Sequence, residues 1–411
     1  MSITTESPQK QNLFKRWLFS LGPGIITAAL VFGPSKMTIT SKMGADFGYS
    51  LLWVVAVAIF FMLIYTRMST RIGSVSSVSL LTLIRRKFGN KAAIGIGVGI
   101  FLVAASFQSG NSIGVGIAIA EASHTDPIIW IIIFNVLGIL LLFFRSFYKL
   151  MEKLMIALII IMLFAFITTL FMVNPDLGQT AQGFIPSAQK ESLGLTIAFT
   201  ASCFSLVGAF YQSYLVQERK KNRAVDAPEE NAAASSTTGI ILLGIMAAVV
   251  LICAAAVLNP QGIKVNSAAE MAKALEPIFG NYASTLFFIG LFGASFSSLI
   301  GNATVGGALL GDALGYGSNL SNKTVKILIA IVMIIGSFIA IKFGKLPLEL
   351  LVFAQSVTIF LVPFIGLAIY LIANDKSIMG DKVNKPFTKV FGAIGLLVII
   401  GLAISSIMSM I

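Results

Sequence analysis

Ala29-Leu30-Val31-Phe32-Gly33-Pro34-Ser35-Lys36-Met37 sets a glycine, a proline and a lysine inside an apolar run long enough to cross a lipid bilayer. Proline removes a backbone donor and glycine loosens a helix. Carbonyls and amides freed at membrane depth are tolerated only where protein buries them or they line a cavity. An ionised lysine at that depth costs about 2.5–3.5 kcal/mol on insertion scales, so such residues are functional by default. The stretch reads as a broken membrane helix with a charge beside the break.

The rest of the chain agrees with a membrane setting. Of its 411 residues 57% are hydrophobic and 11% charged, with a mean hydropathy of +0.92. Soluble proteins carry about 25% charged residues, so neither one nor two soluble domains can be built from this composition. A bilayer core needs ~20 apolar residues per helix. Eleven spans meet that need: 17–41, 48–67, 92–120, 127–144, 150–172, 194–217, 236–258, 282–313, 323–342, 348–373 and 388–409. The chain is expected to be an all-α membrane protein. A polar stretch precedes the first span with no small-residue cleavage site, which reads as a retained helix and not a signal peptide.

The net charge of +12 (29 Lys+Arg, 17 Asp+Glu) becomes a topology signal on this reading. With the N-terminus inside, 22 basic residues fall in inside segments and six in outside ones. They include Arg67, Arg71, Arg85, Lys87 and the Arg219–Arg223 cluster inside, and Lys42, Lys190, Lys264 and Lys273 outside. Basic residues collect in cytoplasmic loops, so the N-terminus is expected in the cytoplasm and the C-terminus outside the cell membrane. The bias leaves no reason to invoke nucleic acid. Membrane lipid is the expected surroundings, and Arg219–Arg223 is a candidate contact for anionic headgroups. Cys203 and Cys253 lie in apolar runs and read as packing residues.

The sixth span carries a second irregular stretch, Ser205-Leu206-Val207-Gly208-Ala209-Phe210-Tyr211-Gln212-Ser213-Tyr214. The two irregularities fall five spans apart, at the first helix of each five-helix half. That placement is the one expected of an inverted-repeat transporter with discontinuous helices around a central site. The glycine-rich strings around Gly95-Ile96-Gly97-Val98-Gly99, Gly110, Gly114, Gly116, Gly301, Gly306 and Gly307 read as close helix contacts. They do not follow a strand, and with no metal-spaced His/Cys cluster or nucleophile triad the chain is not expected to be an enzyme or to carry a cofactor.

Gly22-Pro23-Gly24-Ile25-Ile26 leads, in step, to Gly33-Pro34-Ser35-Lys36 and then to Gly44-Ala45-Asp46-Phe47-Gly48-Tyr49-Ser50-Leu51-Leu52-Trp53. This order resembles the opening of the Nramp family of divalent metal transporters: Gly-Pro-Gly-Ile-Ile, Asp-Pro-Gly-Asn, Gly-Ala-x-Phe-Gly-Tyr-x-Leu-Leu-Trp. Ile113-Gly114 with Ile117-Ala118, Tyr214-Leu215, and Leu351 to Gln355 with Leu361 to Phe364 are similar to later family segments. The resemblance implies a LeuT-type fold, a 5+5 inverted repeat with discontinuous helices 1 and 6 plus an eleventh helix. The implied divisions are a tail at 1–16, a first repeat at 17–172, an extracellular loop at 173–193, a second repeat at 194–373 and the last helix at 388–409.

The family's chemistry does not carry over residue for residue. Its span 1 Asp falls on Gly33 and its Asn on Lys36. Its Met-Pro-His falls on Ala209-Phe210-Tyr211, so the soft thioether is lost, and its second His falls on Val216. The acidic pair of the family's proton route falls on Gln108 and Asn111. Among the family's side-chain ligands only the tenth-helix Gln has a match, Gln355. The candidate binding residues are therefore Gly33, Ser35, Lys36, Gln108, Asn111, Gly208, Ala209, Tyr211, Gln212 and Gln355. If a metal is bound, Ser35, Gln212 and Gln355 are the donors expected to touch it. The carboxylates at helix ends that are candidates to pair with Lys36 are Glu121, Asp312 and Glu349.

Three uses of that set stay open. Lys36 could stand in for a bound cation beside an anionic or amino-acid-like solute. It could instead change protonation during transport. Or a hydrated Mg²⁺ or Mn²⁺ could be held through its waters by neutral oxygens. Proton relays in membranes use Asp, Glu or His, and the sole histidine, His124, reads as a surface residue. Family-style proton coupling is therefore expected to be absent. A non-transporting membrane sensor would be favoured by long regulatory tails, and only about 16 residues precede the first span.

Overall fold

The computed structural model describes residues 32–143, 145–187, 189–221, 231–343, 352, 356 and 358–408. Gly33, in extended conformation (φ −78°, ψ 178°), opens helix α1 (Pro34–Phe47), with Pro34 at a first helical position where its missing N–H is no loss. Helix α2 (Leu52–Val75) follows, then the short α3 (Leu80–Phe88), whose Ser79 side chain caps the Thr82 amide. The bundle continues with α4 (Asn90–Ser123), α5 (Pro127–Leu141) and α6 (Arg145–Val173). After these come α7 (Leu193–Cys203), α8 (Leu206–Lys221), α9 (Asn231–Val257), α10 (Ala283–Ala313), α11 (Lys323–Phe343), α12 (Val362–Ala373) and α13 (Pro386–Met408). The described residues hold helices and no strand.

Seven helical stretches among the described residues are long and apolar enough to cross a membrane. An eighth arises if Thr358–Ala373 and Lys376–Lys382, bent by 60°, form one span. Against the eleven stretches read from sequence, Pro127–Leu141 and Ala157–Val173 are apolar but shorter than a full crossing. The first span is described only from residue 32 onward, with helix starting at Pro34. It also runs on past residue 41 to Phe47, and the second runs to Val75, because the polar residues there continue the helices instead of ending them.

Close helix approach organises the interior. Helices α4 and α10 pack along each other and both pack on α11, while α1 lies on α9 and α2 on α8. Small residues sit at the contacts, as expected where apolar burial gives no drive between helices in lipid. A methyl on Gly306 would come within 2.4 Å of the Ala104 methyl, and one on Gly97 within 2.2 Å of the Ala313 methyl. Gly95 and Gly99, from the same string, face open space, so only part of that string makes helix contacts.

Side-chain bonds gather the loops into two ends. At one, Asn259 Nδ2 donates to the Ala45 carbonyl (2.8 Å), Lys42 Nζ to the Val265 carbonyl (2.7 Å), and Ser187 Oγ to the Ser50 carbonyl (3.3 Å). At the other, Arg85 donates to the carbonyls of Asp312 (3.0 Å) and Ala313 (2.7 Å), and Lys220 to that of Ser74 (3.2 Å). Lys87 pairs with Asp375 and Arg71 bonds Asn384 at this second end. The loop segments that charge counting put on one side thus touch one another.

The second end is locked by a buried polar knot. Tyr214 on α8 donates its phenolic O–H to Asp312 Oδ2 on α10 (2.6 Å) and accepts from the Leu81 amide (3.3 Å). Tyr214→Phe removes the donor and leaves a buried carboxylate short of a partner, a loss of about 2 kcal/mol. Chemical denaturation of the purified protein in detergent is expected to show that loss, and Tyr65→Phe, which bonds only a carbonyl on α13 (2.9 Å), a smaller one.

Candidate functional site

The site is built on the first turn of α1. A non-helical Gly33 followed by helix from Pro34 leaves the opening amides of α1 inside the protein, with no side-chain cap. The chain is enclosed there by α4 and α10. A methyl on Gly114 of α4 would come within 2.6 Å of Pro34 Cβ and 2.4 Å of Ser295 Oγ on α10. A methyl on Gly33 itself would come within 3.0 Å of Ser298 Oγ on α10 and 3.3 Å of Asn111 Oδ1 on α4. Gly33 and Asn111, both named from sequence, therefore meet at one point.

Ser298 was missed by the sequence reading. It is buried, and so are its neighbours Ser295 and Ser297. The run Ser295-Phe296-Ser297-Ser298 within an otherwise apolar helix was the available signal.

Lys36 lies in the same turn, buried with 7% of its surface accessible. Its ammonium stands over the Phe107 ring, 5.9 Å from the centroid, and within electrostatic reach of Cys203. Cys203, the last residue of α7, is fully buried, as expected of a packing residue. Of the carboxylates considered for Lys36, Asp312 bonds Tyr214, Glu121 is exposed, and Glu349 lies outside the described residues. Ser35 Oγ is buried without a hydrogen-bond partner.

The second break falls at Phe204–Ser205, earlier than the Gly208 centre read from sequence. Ser205 explains the shift: its Oγ accepts from the Gly208 amide (3.3 Å) and its carbonyl from the Ala209 amide (2.8 Å), which starts α8 at Leu206. Gly208, Ala209, Tyr211 and Gln212 consequently lie within α8, which packs on α2 and α12, while α1 packs on α4, α7, α9 and α10. Tyr211 stacks on Tyr214, with ring centroids 6.2 Å apart, toward the polar knot. Gln108 packs beneath Gly336 of α11, where a methyl would come within 2.4 Å of its Cγ, and neither of its amide atoms has a hydrogen-bond partner. Gln355 lies outside the described residues.

The donor chemistry is neutral oxygen. Among the described residues no group of three or more His, Cys, Asp or Glu could hold a metal ion, and the buried charged side chains are Lys36 and Asp312. What meets Gly33 is the Ser298 hydroxyl and the Asn111 side-chain amide oxygen, beside the opening amides of α1.

A family model, described as natural resistance-associated macrophage protein-like, matches residues 24–409. The chain belongs to the Nramp family. It is therefore a multi-pass membrane protein of a transporter family and not an enzyme. Among its relatives, the divalent metal cation transporter MntH of Latilactobacillus sakei is 24% identical over 407 residues, covering 94% of this chain and 88% of the relative. That of Yersinia enterocolitica is 26% identical over 389 residues, covering 93% of each. In backbone the chain is similar to a variant of the Eremococcus coleocola manganese transporter, with a TM-score of 0.78, 19% identity, and 99% of this chain and 89% of that one covered. It is also similar to Mhp1, a nucleobase-cation-symport-1 family transporter in a closed conformation (TM-score 0.63, 14% identity, 95% and 93% covered). The Nramp fold is thus kept along nearly the whole chain.

The packing of Pro34 gives a direct test. Gly114→Ala places a methyl against the proline ring and Ser295 and is expected to cost about 1–3 kcal/mol by overpacking. Melting of the purified variant is expected to fall, while Gly95→Ala, in open space, leaves it unchanged.

Proposed function

We propose that this Nramp-family chain is a secondary transporter of the cell membrane that moves a divalent cation by alternating access, Mg²⁺ or Mn²⁺ ahead of softer metals. Its architecture on this reading is eleven membrane helices in a LeuT-type 5+5 inverted repeat, with breaks in helices 1 and 6. The N-terminus is cytoplasmic and the C-terminus outside. The end that gathers Arg71, Arg85, Lys87 and Lys220 is then the inner one, where basic residues belong.

The observation that carries the reading is the family match over 24–409 joined to the first turn of α1, where Gly33 brings an irregular backbone into the protein interior. Relatives named as divalent metal cation transporters support the cargo class. Neutral oxygens in place of charged and sulfur ligands support a hard ion that keeps part of its water, since Mg²⁺ dehydrates reluctantly. Ser35, Gln212 and Gln355 are the donors proposed from sequence. Family-style proton coupling is absent on this reading, because Gln108 and Asn111 are neutral and His124 is exposed at the end of α4.

A second reading has its own observation. Lys36 and the α1 N-terminus both favour negative charge at the same turn. A +1 charge ~6 Å from a +2 ion costs several kcal/mol at an effective dielectric of 20. On that reading the solute is a small organic anion or amino-acid-like molecule. Calorimetric titration of the purified protein decides between them. Saturable Mg²⁺ or Mn²⁺ binding that persists or tightens in Lys36→Met is expected for cation transport. Carboxylate binding abolished by Lys36→Met, with indifference to divalents, would establish the second reading.

A further inference from the structure

We infer that the ligand is held between α1, α4 and α10, with Ser298 Oγ and Asn111 Oδ1 taking over the role of the side chain that Gly33 lacks. The inference rests on the proposed divalent-cation reading and gives that reading a location within the fold.

The geometry at Gly33 is restrictive. A single methyl there would press on Ser298 Oγ at 3.0 Å and approach Asn111 Oδ1 at 3.3 Å. The space next to the Gly33 backbone is therefore already occupied by two polar oxygen atoms from two other helices. The family resemblance puts an acidic ligand at this position, and here the chain instead brings a hydroxyl and an amide oxygen to the same point. Both side chains are buried, at 5% accessibility each, so both oxygens face protein and not bulk water. Ser35 Oγ, two residues on in the first turn of α1, is buried at 4% and has no hydrogen-bond partner. It adds a third neutral oxygen beside the same break and is the kind of group a ligand or its water would satisfy.

The platform that holds these atoms is rigid. Asn111 and Ser298 sit on helices in contact through Gly97 against Ala313, Ala104 against Gly306, and Gly114 against Ser295. The last contact also carries Pro34, which fixes the start of α1 against both helices. Residues 208–212 ride on α8, which packs on α2 and α12. The recognition surface thus shifts from the pair of broken helices toward α4 and α10.

The donor set fits a hard cation. Two hydroxyls and an amide carbonyl offer oxygen without charge, and neutral oxygens suit Mg²⁺ or Mn²⁺ bound with retained water better than a bare soft metal. The Lys36 ammonium stands over Phe107, one turn before Asn111 on α4. An ion held at arm's length by its own water tolerates that neighbour better than one in direct contact.

Titration of the full-length protein in detergent with Mg²⁺ and with Mn²⁺ tests this. Ser298→Ala is expected to weaken the wild-type affinity about tenfold, the scale of one lost polar ligand. Asn111→Asp, nearly isosteric, is expected to tighten it about tenfold by adding a charge next to the cation, an effect that a packing role would not produce. Ser297→Ala, one residue around the helix, is expected to bind as the wild type does. Melting curves accompany each variant, and if Ser298→Ala fails to fold, Asn111→Asp alone decides. Wild-type binding that neither variant changes would overturn this placement and leave divalent transport standing. A wild type that binds neither ion would overturn both.

Discussion

Non-helical backbone inside a bilayer has to be enclosed by protein, and in this chain Gly33 is enclosed where Pro34 and Ser295 both close on Gly114. Everything at the site depends on that contact. It sets where α1 begins, which brings Gly33 to Asn111 and Ser298 and puts Lys36 in the first turn. It works because α4 has no side chain at 114, so a proline ring can approach a helix backbone. Small residues further along α4 and α10 bring the two helices together.

The distribution of charge follows the same economy. The two buried charged residues of the described chain are kept apart in function. Asp312 belongs to the polar knot that ties α8 to α10 near α3, and Lys36 belongs to the break. The other basic residues with described bonds lie at the two ends of the bundle, bonded to carbonyls or carboxylates of neighbouring loops. Nramp membership is thus joined, among the described residues, to the absence of any group of three or more His, Cys, Asp or Glu that could hold a metal ion.

Much of this was legible in the sequence because its causes are local. Gly33-Pro34 starts a helix by itself, and the composition demands a membrane. Two features were not local. The second break lies at Ser205 because a serine hydroxyl caps the Gly208 amide, whereas the glycine had looked like the weak point. Ser298 was hidden because a hydroxyl in a membrane helix usually bonds its own backbone, as Ser295 does to Leu291 (2.6 Å), and its approach to Gly33 is tertiary and leaves no mark in the sequence. The small-residue strings were read correctly in kind, yet Gly95 and Gly99 show that a glycine's partner cannot be told from spacing alone.

The central claim is that a neutral site moves a divalent cation without the family's proton route. Mn²⁺ uptake into proteoliposomes, measured with and without an imposed pH gradient while internal pH is followed, tests it most directly. Saturable uptake that is indifferent to the gradient and leaves internal pH unchanged is the predicted result. Uptake that needs the gradient and acidifies the interior, or no uptake at all, would contradict it.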